Sequence, residues 1–102
     1  MNESGLIPLG RAVLVEPYEP EVKKSMIELP KAVKERTSMV ETRATVVAIG
    51  PAAWEDESSP RAVVGDKVLI SKFAGVMADG IKDGKSYRIV NDRDIYCRLE
   101  EV

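Results

Sequence analysis

Val64-Gly65-Asp66-Lys67-Val68-Leu69-Ile70-Ser71-Lys72-Phe73-Ala74-Gly75 is the stretch whose reading decides the fold. Gly65-Asp66 marks a tight turn. Residues 67–71 then carry Val68, Leu69 and Ile70 in succession. A short apolar run behind a turn signal, rich in β-branched residues, predicts a strand buried in a sheet.

The chain on either side repeats this pattern. Residues 8–16 alternate weakly and end in Val13-Leu14-Val15, which predicts a strand stopped by Pro17-Tyr18-Glu19-Pro20. Residues 43–49 predict another, with Val46, Val47, Ala48 and Ile49 apolar on both faces, as in a strand covered from both sides. Gly50-Pro51 ends it, and residues 52–59 form a turn-like excursion with Trp54 and the acidic trio Glu55, Asp56 and Glu57. Asp83-Gly84, flanked by Ile81 and residues 87–90, predicts a two-residue hairpin. Residues 91–94 predict a polar turn with one loose helical turn. Residues 95–99 predict a last strand, with Ile95, Cys97 and Leu99 on one face and Tyr96 and Arg98 on the other. Six or more short strands separated by turns predict an all-β fold, a small antiparallel barrel forming one domain over residues 1–102.

Composition narrows the function. At 44% hydrophobic and 31% charged residues, the chain fits a soluble globular domain. A net charge of −2 gives no electrostatic case for nucleic acid. Aromatics at 5% are too few for a base-stacking platform. The chain has no histidine, which removes His-centred triads, His general bases and His metal ligands. The single cysteine, Cys97, allows no internal disulfide and fits a reducing cytosol. No apolar run approaches the ~20 residues of a membrane-spanning helix, and residues 1–5 lack a signal-peptide pattern. These features point away from an enzyme and towards a binding protein.

One segment breaks the strand pattern. Residues 17–42 are rich in charge and carry Pro17, Pro20 and Pro30, with Met26, Ile27 and Leu29 as an apolar cluster at the centre. Such a segment buries too little apolar surface to offset its ordering entropy, so mobility in the free chain is expected. A long loop of this kind on a β-scaffold suits gripping a partner. A thin apolar stripe through Ala32, Val33, Arg36 and Val40, starting at Pro30, leaves a short helix as the other reading.

In this order, the parts resemble the GroES-type co-chaperonins, the chaperonin-10 family. The opening quotation is similar to the family's VGDxVLFxKYAG run. Arg43-Ala44-Thr45-Val46-Val47-Ala48-Ile49-Gly50 is similar to its GxVVAVG strand. Lys85-Ser86-Tyr87-Arg88-Ile89-Val90 with Asp94-Ile95 resembles its closing YLIL…DIL pattern. The resemblance runs over about residues 6–100. Ile27-Glu28-Leu29-Pro30 falls where the family carries its partner-binding tripeptide, with Glu28 at a position that is normally apolar. Arg11-Ala12 stands where the family usually has an Asp-Arg pair. The stretches between Leu29 and Arg43, and from Val76 to Lys82, are longer than in most members. A divergent member, virus-encoded or serving a specialised chaperonin, would show such departures.

The resemblance implies a small GroES-like barrel with a mobile loop at about residues 18–42 and a short roof turn at about 51–60. It implies a co-chaperonin that caps a GroEL-type chaperonin in a nucleotide-dependent way, encloses unfolded client proteins and works in the cytoplasm. The residues implied to bind the chaperonin are Met26, Ile27, Glu28, Leu29 and Pro30. A homo-oligomeric ring, a heptamer, would form by pairing Leu6, Ile7, Pro8 and Leu9 of one subunit with Ile95, Tyr96, Cys97 and Leu99 of the next. Pairing of these two segments within one barrel is the other reading. Cys97 is expected to be a buried small apolar residue. Trp54, Glu55, Asp56 and Glu57 would lie at the roof, where gathered acids would repel; a polar turn with Trp54 packed on the barrel is the other reading. ATP would be bound by the chaperonin, with no cofactor or metal in this chain and no nucleic-acid or membrane partner. A stand-alone barrel that grips a protein partner as an adaptor is the alternative function.

Overall fold

The computed structural model describes residues 2–18 and 42–100. The expected loop at 18–42, with the candidate residues Met26, Ile27, Glu28, Leu29 and Pro30, lies outside them except for Tyr18 and Thr42. The described residues form six strands: β1 (Ala12–Pro17), β2 (Arg43–Ile49), β3 (Lys67–Ile70), β4 (Val76–Asp79), β5 (Ser86–Asn91) and β6 (Ile95–Arg98). A 3-10 turn at Asp92–Asp94 joins β5 to β6. All pairings are antiparallel, and the sheet order is β4-β5-β1-β2-β3-β6. This is the small GroES-like β-barrel that the sequence predicts.

The sheet curls around one apolar cluster and carries a second on its outer face. Val13, Val15, Val46, Val68, Ile70, Val90 and Ile95 fill the inner cluster together with Trp54 and Ala62. Leu14, Val47 and Tyr87 form the outer one, with Leu6, Ala48 and Ile89 against it. A bulge in β2 explains why that strand is apolar throughout. Leu14 faces Ala48 while Val15 faces Val46, so Val47 is the extra residue. Val46 and Val47 therefore enter different clusters, and both faces are covered as the sequence predicts.

Local signals placed the strand interiors better than their ends. β1 begins at Ala12 and not at residue 8, because Gly10 takes a positive φ of 59° and the Ala12 N–H closes a turn onto the Leu9 carbonyl at 3.1 Å. Pro17 does not stop β1 but occupies its last position, opposite Ala44. The hairpin around Asp83-Gly84 exists, but its loop is longer than two residues. The Gly80 N–H donates to the Lys85 carbonyl at 2.8 Å, which puts Asp83-Gly84 inside the loop. β4 emerges as the strand that sequence patterning did not separate.

Arg88 is the unexpected core residue. It lies on β5 opposite Val15, points into the barrel and is fully buried. Its Nε donates to the Ala74 carbonyl at 2.8 Å and its Nη2 to the Ser71 carbonyl at 2.9 Å. Charge-assisted bonds of this kind are worth about 1.5–3 kcal/mol each. They hold the β3–β4 connection against the mouth of the curl. Gly75 completes that connection: a Cβ there would sit 1.7 Å from the Ile89 carbonyl oxygen, closer than any side chain tolerates.

Candidate interaction surfaces

Three regions carry or adjoin the residues that the sequence singled out: the turn after β2; the N-terminal segment and, separately, the edge strand β6; and the neck at Tyr18 and Thr42. Each is built differently.

The turn after β2 is fastened to the barrel. Gly50 lies so close to the Gly10 carbonyl that a Cβ would come within 2.4 Å of it. The Ala52 N–H donates to that same carbonyl at 2.9 Å. Trp54 is buried at 3% exposure, with φ at 57°, a conformation unusual for a bulky residue. Asp92 holds it there. The Trp54 backbone N–H donates to Asp92 Oδ2 at 2.8 Å, and the indole Nε1 donates to the Asp92 carbonyl at 2.9 Å. Nothing local in the sequence marked Asp92; its role depends on the 3-10 turn bringing it under Trp54.

The acids of this turn are partnered within the chain. Asp56 accepts from Arg11 at 3.2 Å and from Arg93 at 2.5 Å. Glu57 accepts from Arg61 Nε at 2.9 Å and 3.0 Å, and Arg61 reaches on to the Ile95 carbonyl at 2.7 Å. The Arg93 and Arg11 guanidiniums hold the Asp56 carboxyl below its usual range. Within the chain, two of the three acids, Asp56 and Glu57, carry arginine counter-charges, and Trp54 packs on the barrel. Sequence distance hid this, since Arg11 and Arg93 lie 45 and 37 residues from Asp56.

The edge region is open. Among the described residues, β6 pairs only with β3, and residues 6–9 join no strand. The two segments do not pair with each other within one chain. Leu6 packs on the outer apolar cluster and Pro8 is buried, but Ile7 is 78% exposed and Leu9 75%. An Asn2–Ser4 knot holds the start of this segment. Asn2 Nδ2 donates to the Leu6 carbonyl at 2.6 Å, the buried Ser4 accepts from the Leu6 N–H at 3.0 Å, and the Lys82 N–H donates to the Ser4 carbonyl at 2.9 Å.

On β6, Ile95 is buried while Tyr96 and Cys97 are exposed and Leu99 is half-buried. The expectation of a buried Cys97 is thus corrected. Ile70 faces Ile95 and Leu69 faces Cys97, so Tyr96 is an extra residue that shifts the alternation. Cys97 is turned to the Leu69 side and leaves the core. Tyr96 and Ser71 share a short hydroxyl–hydroxyl hydrogen bond.

The neck is where β1 and β2 end together. Beyond the Pro17–Ala44 pair, the Tyr18 N–H donates to the Arg43 carbonyl at 2.9 Å. The Arg43 guanidinium carbon lies 4.1 Å from the centre of the Tyr18 ring. The Thr42 carbonyl accepts from the Ile70 N–H at 2.7 Å. A cleft of about 120 Å³ lies alongside, lined by Tyr18, Arg43, Ala44, Thr45, Lys67 and Leu99. Tyr18 read only as part of a strand stop in the sequence. Its ring partner arrives from across the insertion, which no local pattern reveals.

Among the described residues, no group of three or more His, Cys, Asp or Glu is placed to hold a metal ion. No helix among them is long and apolar enough to cross a membrane. Among the described residues the fold is a curled antiparallel sheet with β6 at one edge, an N-terminal segment that leaves Ile7 and Leu9 exposed, and a neck at Tyr18 and Thr42. The chain belongs to the chaperonin 10 kDa subunit family, whose sequence profile matches residues 5–99. It is similar over nearly its whole length to proteins named Co-chaperonin GroES. That of Methylacidiphilum infernorum (isolate V4) is 39% identical over 105 residues, covering 98% of this chain and 99% of that protein. That of Thermotoga neapolitana is 40% identical over 98 residues, covering 94% and 97%. That of Acetivibrio thermocellus is 41% identical over 96 residues, covering 91% and 96%.

Proposed function

We propose that this protein is a co-chaperonin that caps a GroEL-type chaperonin in a nucleotide-dependent way and assists folding in the enclosed cage. The family match over residues 5–99 carries the reading. The chain acts by binding and does no chemistry of its own. It works in the cytoplasm, with ATP bound and hydrolysed by the chaperonin.

Subunits assemble into a ring of seven. Residues 6–9 of one subunit lie along the outer edge of β6 in the next. Support comes from that edge being unpaired among the described residues and from the exposure of Ile7, Leu9 and Tyr96. An open strand edge and exposed apolar side chains are each a liability for a monomer and together offer a ring two complementary surfaces.

The segment 19–41 supplies the grip. Ile27 and Leu29 enter an apolar groove on the chaperonin rim, worth roughly 3–6 kcal/mol gross at about 1.5–3 each. Ordering such a segment commonly costs 2–5 kcal/mol. One loop therefore binds weakly, and a ring of loops binds firmly yet releases when the partner changes state. Glu28 faces the opposite way from Ile27 and Leu29 in an extended segment. It meets a basic residue of its own chaperonin and sets partner choice.

Size-exclusion co-elution with a GroEL-type chaperonin, with and without ATP, tests the reading. ATP-dependent co-elution abolished by Ile27→Asp is the expected result. A chain that never co-elutes with any chaperonin from its own cell overturns it. Glu28→Val should broaden the range of chaperonins bound; an unchanged range removes the role given to Glu28.

A further inference from the structure

We propose that Tyr18 and Arg43 form a clamp that positions segment 19–41 for partner binding; this rests on the co-chaperonin reading and adds a role for two residues outside the gripping segment. The neck needs such a device. Pro17, the last residue of β1, has no N–H to give the ladder. The ends of a strand pair are where fraying starts, since few buried contacts hold them. At this weak point the Tyr18 N–H bonds the Arg43 carbonyl, and the Arg43 guanidinium stacks 4.1 Å from the Tyr18 ring centre. On the other side, the Thr42 carbonyl is tied to the Ile70 N–H at 2.7 Å. Both exits of the insertion are thus held at neighbouring points on the barrel.

The size of the effect follows from general magnitudes. A cation–π contact at a half-exposed site shifts a closed-to-open ratio by roughly two- to five-fold. Ile27 lies nine residues beyond Tyr18. As a general scale, lengthening a flexible nine-residue tether by three residues enlarges the volume swept by its end by about 1.5-fold. The effective concentration of the anchor falls in proportion. About 1.5-fold lost per loop becomes roughly 17-fold when seven loops engage together.

The test compares the parent ring with Tyr18→Ala, Tyr18→Phe and Arg43→Gln. Amide hydrogen exchange reads the neck, and dissociation from a GroEL-type chaperonin in ATP reads the grip. The clamp requires faster exchange at position 18 and at Ile70 by roughly two- to five-fold in Tyr18→Ala and Arg43→Gln. It also requires faster release of those rings from the chaperonin, with Tyr18→Phe matching the parent in both, because the aromatic face is kept. A merely structural role would lower ring stability without that rescue. Unchanged exchange and release in Tyr18→Ala overturn the clamp. Should the parent ring not bind the chaperonin at all, the co-chaperonin reading falls, and with it the positioning role, whatever the exchange data show.

Discussion

The turn at 51–60 and the segment at 6–9 are both short, strandless and flanked by glycine or proline, yet they meet opposite fates. The turn carries three consecutive acids, and the barrel closes over it with Trp54 inside and arginines on Asp56 and Glu57. The 6–9 segment is mostly apolar, and two of its four side chains point to solvent. A monomer at equilibrium with water alone favours the reverse arrangement. Polar groups are satisfied inside one region and apolar surface is left unmet in the other, and this contrast is what supports the proposed ring contact at residues 6–9.

The largest expected effect is at the closed region. Trp54→Ala empties a buried site and should cost about 3–5 kcal/mol. The midpoint of urea denaturation measures it; a cost under about 1 kcal/mol would mean that the turn is not fastened as described. Asp92→Ala comes next. It leaves the buried Trp54 N–H without its acceptor at an expected cost of about 1–3 kcal/mol. The same denaturation series should show the two substitutions to be non-additive, because they remove one unit.

The open region should behave in the opposite way. Ile7→Asp with Leu9→Asp should change the stability of an isolated subunit by no more than about 0.5 kcal/mol. Sedimentation should show the ring replaced by monomers. An intact ring after both changes removes these residues from the interface. Truncating residues 1–9 is a blunter test, since it also removes the buried Ser4 and the packing of Leu6.

Two pH effects sharpen the contrast. Asp56 has a folded value lowered chiefly by its hydrogen bond from Arg93, then by that from Arg11. Its contribution to stability is fully present above its ordinary value of 3.8 and is lost as pH falls through the lowered folded value. Asp56→Asn should flatten that acid limb slightly, and the difference should shrink in high salt. At the other extreme, the hydrogen bond to Asp83, followed by burial, pushes the Tyr87 hydroxyl from 10.0 up to about 12. The protonated phenol is the form that the fold favours. Stability from this pair is complete below pH 10 and declines as pH rises through about 12. Tyrosinate absorbance should show Tyr87 titrating earlier in Asp83→Asn.

The strands that were legible in sequence are the ones whose local chemistry is sufficient. β2 spans the expected residues, and β3 and β6 each end one residue early, because β-branched runs and turn signals suffice there. β4 escaped notice because its side chains are exposed or half-buried throughout, so no alternation marks it. Cys97 was misplaced because a bulge at Tyr96 breaks the period of two on which the face assignment rests.

By itself the sequence determined the all-β class, the order of the strands and turns, the place of the insertion and the family. Those follow from local propensity and from motifs read in chain order. Only the tertiary structure decided which charges are matched, with Arg88 inside the barrel and Asp92 beneath Trp54. It alone decided that Arg43 closes on Tyr18 and that Ile7 and Leu9 stay in water. These are contacts between residues distant in the chain, set by how the sheet curls and where its bulges fall, and no short window of sequence contains that information.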